Sequence, residues 1–234
     1  MLLGLPLWVF VAFMASQYIV GGVLDLSLRL GLSPADFFSE SVWRTIVAVV
    51  VYSLSIAVVI GGPYLIKRYT TSRETLGLQR LPLWSDIGLA PLAFIAYLIL
   101  TTIVTSVVIA SITGFPADQV QDVGFTAFGS RLDTLLAFVT LVVLAPIAEE
   151  VLFRGYLYGK LKGYVPTIVA ATASSLLFAA VHFQWNVGVD VFVLSLVLCG
   201  LRSLTGSIWA GVLVHMIKNG LAYYILFINP LLGV

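Results

Sequence analysis

Charge is scarce in this chain: 12 Lys and Arg and 11 Asp and Glu are spread through 234 residues. A soluble globule of this size carries about a quarter of its residues as charges, so the scarcity points to a chain whose solvent is lipid. Cysteine is almost absent as well. The single Cys199 sits in an apolar run, which excludes an intramolecular disulfide and a cysteine-based metal cluster. The net charge of +1 supplies no basic footprint for nucleic acid. No Lys or Arg precedes Arg29, so the apolar stretch from Met1 to Leu24 lacks the basic region of a cleavable signal and is expected to be retained as a first span. There is no internal repeat, low-complexity linker or shift in composition. Residues 1–234 are therefore expected to form a single integral membrane domain, with a motif-bearing core over about residues 134–228.

What the chain has in quantity is apolar sequence, 60% of it. Runs long enough to cross a hydrocarbon core, about 20 residues each, occur at Leu5 to Leu24, Thr45 to Ile66, Ile87 to Ile112, Thr134 to Tyr158, Val165 to Val181, Val189 to Leu201 and Ser207 to Ile228, the sixth being short. The alternation expected of barrel strands is missing, and lipid demands that every backbone polar group be satisfied internally. The expected fold class is all-α: a polytopic transmembrane helical bundle of about seven spans, six to eight being the range. Pro116 to Ser130, with Val120, Val123, Phe125 and Phe128 among polar residues, reads either as a short interfacial helix or as an ordinary loop.

The few charges are placed asymmetrically. Lys67, Arg68, Arg73, Arg80, Lys160, Lys162 and Arg202 follow the even-numbered spans, whereas the opposite connections hold Arg29, Arg44 and Arg131 and most of the acids, Asp190 among them. By the positive-inside rule the even connections and the N-terminus are expected in the cytoplasm.

Two adjacent glutamates, Glu149 and Glu150, lie within the fourth stretch, with Arg154 four residues on. A charge at the bilayer centre costs roughly 2.5 to 3.5 kcal/mol on insertion scales, so such residues are expected to have partners and a task. Neighbours on a helix point about 100 degrees apart, whereas residues four apart lie one above the other. Glu150 is thus expected to pair with Arg154, leaving Glu149 on another face, and Pro146 just upstream is expected to kink or loosen the helix. The chain has two histidines. His182 lies four residues after Phe178, and His215 lies four before Asn219, so the last two share a helix face. Taken alone, the three charges have a plainer reading as a helix-locking set and His182 as a solvated or capping histidine, whereas His215 and Asn219, two polar side chains aligned in the middle of a span, are harder to dismiss. Lys218, a cation near the middle of the last span, reads most simply as snorkelling, with a pairing to Glu150 or a substrate carboxylate as the alternatives.

Taken in order, Glu149-Glu150-x-x-x-Arg154-Gly155, Phe178-x-x-x-His182 and His215-x-x-x-Asn219 resemble the three motifs of the CAAX prenyl protease and bacteriocin-processing family of intramembrane proteases, also called the Abi family. The likeness extends to Ala145-Pro146-Ile147-Ala148, Phe153-Arg154-Gly155-Tyr156-Leu157 and Thr205-Gly206-Ser207-Ile208-Trp209, and covers about residues 140–222. The first 130 residues match only in being hydrophobic, and family members usually have about eight helices. The resemblance implies peptide-bond hydrolysis in or near the membrane, on C-terminally prenylated proteins in some members and on peptide precursors in others.

Amide hydrolysis needs a generated hydroxide and donors for the oxyanion. The expected catalytic set is Glu149 as acceptor of the water proton, His182 orienting that water, and His215 with Asn219 as oxyanion donors, supported by Glu150 and Arg154. No metal is favoured. The competing scheme places a divalent metal such as zinc on Glu149, His182 and His215, although no H-E-x-x-H helix is present. The expected partners are a peptide or protein substrate, in some cases lipidated, and membrane lipid, with no nucleic acid. The rival functions are a non-proteolytic immunity or scaffold protein on the same fold, and a proton-coupled transporter built from the same intramembrane charges.

One tension lies in depth. At 1.5 Å per residue, Glu149 and His215 fall about 16 and 13 Å from the cytoplasmic ends of their spans, whereas His182, counted from Val165, falls about 25 Å away. A shared site requires the fifth helix to tilt, or to begin deeper than Val165.

Overall fold

In the computed structural model, which describes residues 3–117, 119, 124–125 and 130–229, every regular element is a helix. The helices are α1 (Gly4–Arg29), α2 (Glu40–Lys67), α3 (Trp84–Ser111), α4 (Arg131–Leu161), α5 (Thr167–Ala180), α6 (Trp185–Thr205) and α7 (Trp209–Ile228). Six are long and apolar enough to cross a membrane, and α5, at 14 residues, is not. This is an all-α polytopic helical bundle. The stretch Pro116 to Ser130 falls largely outside the described residues.

The depth tension is answered by packing, not by length: α5 begins at Thr167, only two residues later than Val165, yet the turn at its C-terminal end sets His182 on the same cavity as Glu149 and His215. The sixth apolar stretch is longer than its hydropathy implies. It begins at Trp185 and ends at Gly206, whose φ of +68° suits a residue without a Cβ. Asp190, which the charge pattern assigns to a connection, therefore lies inside α6.

Helix α4 forms the centre. Every residue from Glu150 to Tyr158 is buried, so this segment is enclosed on all sides. Two of its stretches, Val139–Leu144 and Glu150–Tyr158, are wound as π-helix. Pro146 gives a physical reason for the first: it has no N–H to offer the carbonyl four residues back, and a wider turn absorbs the mismatch.

Between helices in lipid there is little hydrophobic gain, so close packing of small residues carries the association. A Cβ on Gly155 would stand 2.9 Å from the Leu76 carbonyl oxygen, and one on Gly159 would collide with that of Thr75. Both carbonyls belong to the one-turn helix Arg73–Leu76 in the α2–α3 connection. That connection also receives the α6–α7 turn: Ser207 and the Ile208 N–H donate to the Gly77 carbonyl at 3.0 and 3.2 Å, the Trp209 indole donates to Arg80, and Arg202 donates to Glu74 and Thr75. The even connections thus gather on one face. The odd connections gather on the other, where Ser39 donates to Asp133 and Asn186 donates to the Gln119 carbonyl.

Candidate functional site

Three polar helix segments converge on a cavity of about 610 Å³. α4 supplies Glu149, the turn after α5 supplies His182, and α7 supplies His215, Lys218 and Asn219. All four residues expected from the sequence to act on substrate line this one space.

The two glutamates part company as helical spacing requires. Glu149 faces the cavity and accepts a hydrogen bond from the Tyr52 hydroxyl of α2 at 2.7 Å. Glu150 is fully buried, 3.2 Å from Arg154 Nη1. Arg154 has no hydrogen-bond partner at Nε, Nη1 or Nη2, and its guanidinium lies 4.2 Å from the centre of the Phe178 ring. Glu150 and the π-face of Phe178 therefore supply its charge compensation. Gly211 makes room for the carboxylate, since a Cβ there would come within 3.2 Å of Glu150 Oε2.

Spacing alone could not show the third partner of Glu150. His215 Nδ1 lies 3.0 Å from Glu150 Oε1, while its Nε2 faces Glu149 Oε2 at 3.8 Å. A carboxylate only accepts, so Nδ1 carries a proton, and Nε2 is the ring atom turned toward Glu149 and the cavity. His182 is set the same way. Its Nδ1 donates to the Phe178 carbonyl at 2.7 Å, which leaves Nε2 free. Phe178 stands edge-on to both imidazoles, with ring centroids 5.0 Å from His182 and 5.9 Å from His215.

Asn219 departs from a simple oxyanion donor. One of its amide hydrogens goes to the Leu141 carbonyl at 2.9 Å, inside the first π stretch of α4, so at most one remains for the cavity. Lys218 does not snorkel to a surface. Its Nζ lies 3.5 Å from Asp190 Oδ2, and the other oxygen of Asp190 accepts from Tyr97 and Thr101 of α3. The reason is the unexpected extent of α6, which carries an acid to the depth of Lys218. Tyr52 is the site residue that sequence reasoning missed, because a tyrosine in an apolar span carries no local signal of a partner 97 positions away.

Among the described residues, no three His, Cys, Asp or Glu side chains are arranged to hold a metal ion. Glu149, His182 and His215 share a cavity but are not part of any such metal-holding arrangement.

The fold and site together define a multi-pass membrane protein with a buried carboxylate and histidine centre. Residues 131–221, the segment that carries the three motifs, match the family model described as type II CAAX prenyl endopeptidase Rce1-like. The chain is 25% identical over 153 residues to the membrane-embedded CAAX protease MroQ of Staphylococcus aureus, covering 63% of this chain and 59% of that protein. It is 28% identical over 125 residues to UPF0177 protein YxdF of Lactococcus lactis, covering 53% of this chain and 64% of that one. An uncharacterized 24.3 kDa protein of Escherichia coli is 34% identical over 89 residues, 36% of this chain and 41% of its own length. The chain thus spans less than two thirds of each of these relatives. No solved structure matches it.

Proposed function

We propose that the chain is an intramembrane endopeptidase that hydrolyses peptide bonds of membrane-associated or lipidated proteins, or of peptide precursors, with a water activated by Glu149. The observation that carries the reading is the meeting of Glu149, His182, His215 and Asn219, from three separate segments, on one cavity. The 3.8 Å between Glu149 Oε2 and His215 Nε2 is too long for a direct hydrogen bond and leaves a place for a polar atom of water or substrate beside both. In this scheme Glu149 takes the proton of the attacking water, and Tyr52 holds the carboxylate in position. His182 orients the water through the Nε2 lone pair, then takes on that atom the proton held by Glu149 and passes it to the leaving amine, which restores the Glu149 carboxylate. As the scissile carbonyl becomes an oxyanion, His215 in its protonated form and the remaining N–H of Asn219 face the developing charge.

The test is purified protein in detergent or liposomes against a panel of lipidated and unlipidated peptides. Glu149→Gln and His182→Ala are each expected to lower turnover about 10²- to 10⁴-fold, the range for a positioned acid or base. Cleavage that survives both substitutions would sink the scheme. A chelator arm separates the competing chemistry: loss of activity to the chelator, restored by zinc, would replace the water-activating glutamate with a metal ligand.

A further inference from the structure

The cavity has a direction. Most of its lining lies toward the odd connections: α1 between Phe13 and Leu24, α2 between Trp43 and Tyr52, α5 only at its C-terminal end, α6 at Val191 and α7 from His215 to Phe227, while α4 crosses its floor from Thr140 to Phe153. Phe125, in the α3–α4 connection, lies at the same end. The opposite end is closed. There Gly155 and Gly159 of α4 pack onto the Arg73–Leu76 turn, and Ser207 and Trp209 bind the Gly77 and Arg80 carbonyls.

The closed end is the positive one. Of the chain's 12 Lys and Arg, seven follow the even spans, three lie in or beside the odd connections, and the other two are Arg154 and Lys218 of the site. Short loops rich in Lys and Arg stay on the cytoplasmic side. We infer that the cavity opens to the non-cytoplasmic face of the membrane, and that its substrate is a peptide or precursor presented from that face, not a lipidated protein displayed on the cytoplasmic leaflet. The substrate half of this inference rests on the hydrolase reading above. The orientation half does not.

A prenylated C-terminus borne by a cytoplasmic protein would approach the end sealed by the α2–α3 connection, whereas an exported peptide, or the outer end of a membrane-inserted one, meets an open mouth whose walls are mostly apolar. Arg44, at that mouth, is paired with Glu40 at 2.7 Å.

Cysteine accessibility tests the orientation without reference to activity. In full-length protein carrying Cys199→Ala, the single variants Asp36→Cys in an odd connection, Leu226→Cys in the cavity wall and Lys162→Cys in an even connection are expressed in bacterial cells. The cells are then treated with a membrane-impermeant maleimide. Asp36→Cys and Leu226→Cys are expected to label in intact cells, and Lys162→Cys only after permeabilisation. The reverse pattern would overturn the inference, and Asp36→Cys against Lys162→Cys decides it even if Leu226→Cys fails to accumulate. A second arm adds an unlipidated peptide precursor outside right-side-out and inverted vesicles, with cleavage expected only in the former. Cleavage only in inverted vesicles would overturn the substrate assignment. No cleavage in either, with the labelling as expected, would count against the hydrolase reading and leave the orientation supported.

Discussion

Neutralising Glu150 should unfold the centre of the bundle, and removing its partner as well should restore it. Glu150 and Arg154 are both 0% exposed and 3.2 Å apart. At that separation, two unit charges in an effective dielectric of about 20 attract by about 5 kcal/mol. No hydrogen bond from the guanidinium shares the load, and the Phe178 ring adds on the order of 2 kcal/mol. Glu150→Gln keeps a carbonyl acceptor for His215 Nδ1 but leaves Arg154 as an uncompensated buried cation, a change that costs about 3 to 5 kcal/mol. At roughly 2 to 4 °C per kcal/mol for a chain of this size, the melting temperature should fall by about 6 to 20 °C. Arg154→Met should also destabilise, because it strands Glu150. The double variant Glu150→Gln with Arg154→Met leaves neither charge of the pair and should recover most of the loss. The chain carries its own reporter: Cys199 is fully buried and is the sole cysteine, so a fluorogenic maleimide reads unfolding in detergent without added labels. If the double variant melts as low as the two single losses added together, the pair is not coupled and the reasoning fails.

Tyr52→Phe deletes the donor to Glu149 Oε1 and should lower kcat about 10- to 100-fold with little change in stability, as expected for a hydrogen bond to a charged group; the same change on Glu149→Gln should cost much less. Gly159→Ala drives a methyl into the Thr75 carbonyl and should destabilise by about 1 to 3 kcal/mol, whereas Gly200→Ala, with open space around it, should be neutral or better in the same thermal assay. Lys218→Met leaves Asp190 with its Tyr97 and Thr101 donors but no cation, and should cost on the order of 1 kcal/mol by thermal unfolding; Asp190→Asn combined with it should recover that loss.

The helix order and the four cavity residues were legible because lipid imposes long apolar runs, and because helical spacing places His215 with Asn219 and separates Glu149 from Glu150. Lys218 escaped because its partner lies on another helix whose start hydropathy could not locate. The π-helical winding of α4 escaped for a related reason. Where Glu150 to Tyr158 are buried all round, no apolar stripe is left to betray a changed period. Spacing also assigned Glu150 wholly to Arg154, and there the tertiary structure adds what local geometry cannot contain. One imidazole, 65 positions downstream, reaches both adjacent carboxylates: Nδ1 to Glu150 behind it and Nε2 toward Glu149 in front. A pair of neighbouring glutamates is thereby given a joint use despite pointing apart. The buried one holds the His215 ring with Nε2 toward the cavity, and Arg154 compensates that carboxylate's charge at a depth where it would otherwise be costly. The other, only partly buried, faces the cavity. Substituting Glu150 should therefore disturb stability and the setting of His215 together, whereas substituting Glu149 should disturb chemistry with the fold intact, a difference that thermal unfolding and turnover measured on the same samples can read.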